Sequence, residues 1–119
     1  MPASVSLLPN RAYKVLTAEQ FAKWQTDGTF AGAPVDLADG FIHLSTATQL
    51  AETVAKHFAG LSGLHIAAVD LSLLGDAVRW EPSRGGQLFP HIFAELPLAA
   101  VVAHGPLAYG ADGELELLW

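Results

Sequence analysis

Leu64-His65-Ile66-Ala67-Ala68-Val69-Asp70 is apolar on both of its alternating faces, His65 excepted. Successive side chains of a strand point to opposite sides, so a run with no polar side predicts a central strand buried on both faces. At 119 residues, 51% hydrophobic and 15% charged, the chain is expected to be one globular domain spanning 1–119. Twelve acids against six bases leave a net charge of −6, which repels phosphate backbones and excludes a large nucleic-acid footprint. A locally positive pocket for a small anionic ligand remains compatible with that charge. The absence of cysteine excludes disulfides, thiol catalysis and Cys-based zinc sites. The five histidines lack metal-ligand spacing, so no metal is expected. The stretch from Met1 to Pro9 has neither the basic start nor the apolar run of a signal peptide, and no stretch reaches membrane-spanning length. The expectation is a cytoplasmic protein off the membrane, a monomer or small homo-oligomer.

Ahead of that strand, residues 1–10 read as a loose arm and Tyr13-Lys14-Val15-Leu16 as a strand. Thr17-Ala18-Glu19-Gln20 is a capping box opening a helix that buries Phe21 and Trp24 and ends at Gly28. Phe30 to Gly40, with Gly32, Pro34, Asp36 and Asp39, reads as a loop that could act as a lid. Phe41, Ile42 and Leu44 form a short strand. Thr46-Ala47-Thr48-Gln49 repeats the capping-box spacing and opens a second helix with Leu50, Val54 and Phe58 on one face. Later strands are expected at Val78–Glu81, Leu88–Phe93, Leu98–His104 and Glu114–Leu118, with Pro90 pointing to an edge or irregular strand. The fold class is α+β: a mixed, mostly antiparallel sheet with two helices in the N-terminal half.

His43 and Ser45 fall where a strand ends and a helix begins. Unpaired N–H groups and the helix dipole favour an anion at such a point. Ser45 and Thr46 supply hydroxyls, one of which is needed as the cap. In Trp80-Glu81-Pro82-Ser83-Arg84-Gly85-Gly86, Glu81 beside Trp80 is a candidate acid or base, and Arg84 with two glycines a candidate anion nest. A hairpin turn with solvated charges is the plainer alternative. His91, in an apolar strand, needs a partner, and Glu81 on the preceding strand is the natural one. His57 reads as a helix-surface residue, His65 and His104 as ordinary strand positions.

Tyr13-Lys14-Val15, Asp39-Gly40-Phe41-Ile42-His43-Leu44-Ser45-Thr46, Arg79-Trp80-Glu81 and Phe89-Pro90-His91-Ile92 together resemble a bacterial family known as domain of unknown function 952. The resemblance runs from about Tyr13 to Leu107. It implies a fold like that of the ADP-ribosyltransferases, near the RNA 2′-phosphotransferases, and with it an NAD or ADP-ribose-like ligand. Phe41-Ile42-His43-Leu44-Ser45 is similar to the phosphotransferases' second motif, while Lys14 stands where a first histidine is expected. Lys14 would then meet a phosphate as a point charge. The resemblance implies Glu81 and His91 as catalytic groups, with Lys14, His43, Ser45, Thr46, Trp80 and Arg84 around the ligand. The alternative is a non-catalytic module on the same fold that binds a small anion or a protein.

Overall fold

The computed structural model describes residues 10–111 and 115–116, with Arg84 by its backbone only. The first nine residues of the expected arm, and most of the expected last strand, therefore lie outside the described residues. Strand β1 (Arg11–Thr17) runs directly into helix α1 (Ala18–Asp27). The junction is the capping box: Thr17 accepts from the Gln20 N–H, and Gln20 Oε1 accepts from the Thr17 N–H at 2.9 Å. Gly28, at φ 78°, ends the helix by donating its N–H to the Trp24 carbonyl at 2.8 Å. There follow β2 (Thr29–Phe30), α2 (Pro34–Asp39), β3 (Ile42–His43), α3 (Leu50–His57) and β4 (Leu64–Asp70). One 3₁₀ turn, Leu71–Leu73, begins the link to β5 (Val78–Pro82). The chain continues through β6 (Leu88–Ile92), β7 (Leu96–Pro97), β8 (Val101–Pro106), β9 (Ala108–Tyr109) and β10 (Leu115–Glu116).

Every strand pairing among the described residues is antiparallel. One sheet has the order β1-β4-β8 and another β3-β6-β5, with the pairs β2-β7 and β9-β10 at the margins. The doubly apolar run is indeed the middle strand of the first sheet. Its odd-numbered residues Ala67 and Val69, with Ala12 and Leu16 of β1, pack against Phe21, Trp24, Ile42, Leu44 and Ile92. Its even-numbered residues Ile66 and Ala68, with Tyr13 and Val15, pack under Leu50 and Val54 of α3. Among the described residues one isolated bridge joins the two three-stranded sheets: the Tyr13 N–H donates to the Ser45 carbonyl at 2.8 Å and the Ser45 N–H to the Tyr13 carbonyl at 3.0 Å.

Four local expectations change. The stretch from Phe30 to Gly40 is not all loop, because α2 occupies Pro34–Asp39, with Pro34 in its first turn and Gly40 at φ 87° closing it. Among the described residues the N-terminal half thus holds three α-helices, not two. Strand β6 is central rather than an edge. Its Pro90 is tolerated because the Leu44 N–H still donates to the Pro90 carbonyl at 3.1 Å, and the bond Pro90 cannot return falls just past the end of two-residue β3. Helix α3 starts at Leu50, four residues after Thr46. The Gln49 side chain instead ties down the turn, accepting from the Thr46 N–H at 3.0 Å and donating to the Leu88 carbonyl at 2.8 Å. Finally, Leu98–Ala100 is a 3₁₀ turn, so the strand expected from Leu98 begins at Val101.

Candidate functional site

Strands β3 and β6 place His43 directly opposite His91. Residues opposite each other across an antiparallel pair share a face, and the two imidazole centroids lie 5.3 Å apart, edge to face. Both rings line a cleft of ≈ 550 Å³, within the size range that holds small ligands. Phe41, two residues before His43, stacks on His91 at 4.2 Å and tilts against His43 at 4.7 Å, clamping both.

Each ring is backed by a carboxylate. His91 donates from Nδ1 to Glu81 Oε1 at 2.7 Å, which leaves Nε2 as the nitrogen available to a ligand. Glu81 faces Phe89 across the β5–β6 pair, one step diagonal from His91, and this is what brings the two side chains together. His43 is held at both nitrogens. Nδ1 lies 2.7 Å from Asp36 Oδ1, and Nε2 lies 3.0 Å from Asp39 Oδ2.

Asp36 is the hub of the polar network. Fully buried, it accepts from the His43 backbone N–H at 3.0 Å, the Ala33 N–H at 2.7 Å and both contacts of Lys14 Nζ, 3.1 Å to Oδ1 and 2.9 Å to Oδ2. Burial alone would raise its pKa. The hydrogen bond from His43, the Lys14 charge and the backbone N–H outweigh it and hold the carboxyl down at about 2. Lys14 lies on the same face of β1 as Ala12 and Leu16, and burial pushes its ammonium below the ordinary lysine value against the pull of Asp36. Its third contact is the His43 carbonyl at 3.1 Å.

Lys14, His43, Ser45 and His91 therefore meet on one cleft. Glu81, Thr46 and Trp80 do not line it. Glu81 stands behind His91 as its orienting carboxylate. Thr46 is buried in the turn before α3, its hydroxyl 3.2 Å from that of Thr48. Trp80 alternates to the opposite face of β5 from Arg79 and Glu81, where it packs against the main core. The Arg84 side chain lies outside the described residues. His57, expected on the helix surface, is exposed and also lines the cleft. His65 and His104 are more than ordinary strand positions. Their ring nitrogens meet at 3.0 Å over Phe21, away from this cleft.

Three N–H groups of the anion cradle expected between His43 and the start of α3 are already taken up within the protein. The N–H groups of Ser45, Thr46 and Gln49 donate to the Tyr13 carbonyl, Gln49 Oε1 and the Thr46 carbonyl. Nor is Lys14 free to meet a phosphate, since its three contacts are all internal. What the cleft does offer is His91 Nε2, the Asp39 carboxylate and the paired hydroxyls of Ser45 and Thr53, 2.8 Å apart.

Sequence reasoning missed Asp36 because its segment passed for a loop. Two signals pointed to it: Pro34 and Asp36 suit a helix's first turn, and a lysine inside an apolar strand requires a buried acid. Gly32 shows how tightly Asp36 is seated. At φ +127° a Cβ on residue 32 would come within 2.8 Å of Asp36 Cβ. Gly32→Ala is expected to cost about 2–3 kcal/mol by urea unfolding. Gly60→Ala, where a Cβ meets nothing within 4 Å, should cost only the ~1 kcal/mol of left-handed strain. Equal losses would mean that Asp36 is not anchored as described.

Among the described residues no helix is long and apolar enough to cross a membrane, and no group of three or more His, Asp or Glu is set to hold a metal ion. A family profile described as protein of unknown function (DUF952) matches residues 15–104. The crystal structure of protein CC0527 from Caulobacter crescentus superposes with a TM-score of 0.82 at 42% identity, covering 89% of this chain and 93% of that one. A double-mutant crystal form of CC0527 gives 0.81 at 40% identity, with 89% and 93% covered. Its solution NMR structure gives 0.76 at 42%, with 88% and 90% covered. No curated protein matches the chain.

Proposed function

For a chain that belongs to the DUF952 family, whose name assigns no activity, we propose that the cleft binds a ligand of the NAD or ADP-ribose class and, in NAD, cleaves the N-glycosidic bond to nicotinamide or transfers the glycosyl group. One observation carries this reading: two imidazoles, each fixed through Nδ1 by a carboxylate, stand 5.3 Å apart at the cleft. Carboxylate-oriented histidines are the common instrument of general acid–base catalysis. The resemblance to ADP-ribosyltransferases belongs to the proposal, and the α+β fold is compatible with it.

In the proposed reaction the bond between C1′ of the ribose and the ring nitrogen of nicotinamide breaks. Its electron pair leaves with that nitrogen, which becomes neutral. The oxygen of water, or of an acceptor hydroxyl, forms the new bond to C1′ and gives its proton to His91 Nε2. Glu81 holds the imidazolium that results. It is thus a positioning residue, and the catalytic role expected of it passes to His91. The Ser45–Thr53 hydroxyls hold the ribose.

The test is calorimetry and thermal shift with NAD, ADP-ribose and AMP, joined to an assay for released nicotinamide. A ligand at a hundred times its Kd should stabilise the native state by about 2.7 kcal/mol. No heat and no shift at millimolar ligand would overturn the reading. The second reading, a binding module without chemistry, is favoured by Lys14 in place of a histidine and by Asp39 lying on His43 Nε2. It predicts binding without any release of nicotinamide.

A further inference from the structure

We infer that the cleft selects the positively charged part of its ligand, and that Asp39 is the residue that meets that charge. The inference rests on the proposed function and narrows it to small hydroxyl-bearing cations, such as a ribosylated pyridinium, over phosphates.

Charge comes first. Among the described lining residues there is one ammonium, Lys14, and one carboxylate, Asp39. Lys14 is buried and neutralised by two contacts to Asp36, which leaves its charge nothing to attract a ligand with. Asp39 is the reverse: its side chain is 48% exposed, and its one ion-pair partner among the described residues is His43 Nε2. A carboxylate accepts about four hydrogen bonds, so it retains capacity for a ligand.

Position is the second, independent observation. Asp39 is the last residue of α2, and that helix has no basic residue in its final turn. An acid there adds to the negative end of the helix dipole, a placement that costs a helix a few tenths of a kcal/mol or more. Local conflicts of this kind concentrate at working sites. A cation beside Asp39 offsets both charges at once and releases His43 Nε2 toward the ribose.

The experiment compares four probes by calorimetry: nicotinamide riboside, its neutral dihydro form, nicotinamide mononucleotide and 1-methylnicotinamide. The riboside should bind roughly tenfold or more tightly than the dihydro form, a difference that one close charge pair can supply. Asp39→Asn should abolish the difference and Asp39→Glu retain it. Unchanged melting temperatures would establish that both variants are folded. Tighter binding of the mononucleotide than of the riboside, or the same riboside-to-dihydro ratio in Asp39→Asn, overturns the inference. If riboside and dihydro form bind equally, the N-glycoside reading stands and charge selection falls. If 1-methylnicotinamide binds through Asp39 while no ribosylated probe binds, charge selection stands and the N-glycoside reading falls. Silence from all four overturns both.

Discussion

Replacing Asp36 with alanine should cost the fold about 3–5 kcal/mol, the loss expected when one partner of a buried ion pair is removed. The cost comes from what is left behind. The Lys14 ammonium keeps only the His43 carbonyl, and the N–H groups of Ala33 and His43 lose their acceptor inside the protein. Urea unfolding measures the loss, and a value under about 1 kcal/mol would show that the hub is not structural. The double variant Lys14→Met/Asp36→Leu should recover part of the stability, because both desolvated charges go together while the N–H groups of Ala33 and His43 stay without their acceptor. The same pair sets an acid limb. The folded pKa of Asp36, about 2, lies below the unfolded carboxylate value near 3.9, so its contribution is complete above about pH 4. It is lost as the pH falls toward 2, and it amounts to something on the order of 2 kcal/mol. Stability measured from pH 4 to 2 should therefore fall less steeply in the double variant than in the parent.

His91→Ala should lower glycosyl transfer or hydrolysis by roughly 10²–10⁴-fold, the usual contribution of a positioned general base, while ligand affinity changes little. Glu81→Gln should give a smaller loss with a distinct signature. Its kcat should fall while KM stays near the parental value, because the imidazole loses the carboxylate that orients it, yet the fold should hold because the Glu81 side chain is 39% exposed. Nicotinamide release followed across substrate concentration separates the cases. A kcat that stays at the parental value in His91→Ala would remove His91 from the chemistry. Lowered stability with an unchanged kcat in Glu81→Gln would reduce the pair to a structural contact.

The sequence made legible whatever depends on local periodicity or on one strand step. The doubly buried β4, the Thr17–Gln20 cap and the Glu81–His91 partnership all follow from spacing along the chain. Thr46–Gln49 misled because a capping-box spacing does not say which end of the box is used. Here the Gln49 side chain works and the Thr46 hydroxyl does not cap. Trp80 misled because its place beside Glu81 in sequence suggests a shared site, whereas strand alternation sends neighbours to opposite faces. The Lys14–Asp36 bond joins residues 22 apart that belong to a strand and a helix, and no single-segment pattern encodes such a contact.

Helix α2 carries both carboxylates that grip His43, one at each end of the imidazole, and so behaves as a ruler. Asp36 and Asp39 are three positions apart, just under one turn, and one inserted residue would rotate the second by about 100° away from the ring. Surface connections ordinarily tolerate changes of length. This one should be intolerant of them, because its residue count is also the calliper setting that keeps the imidazole aimed.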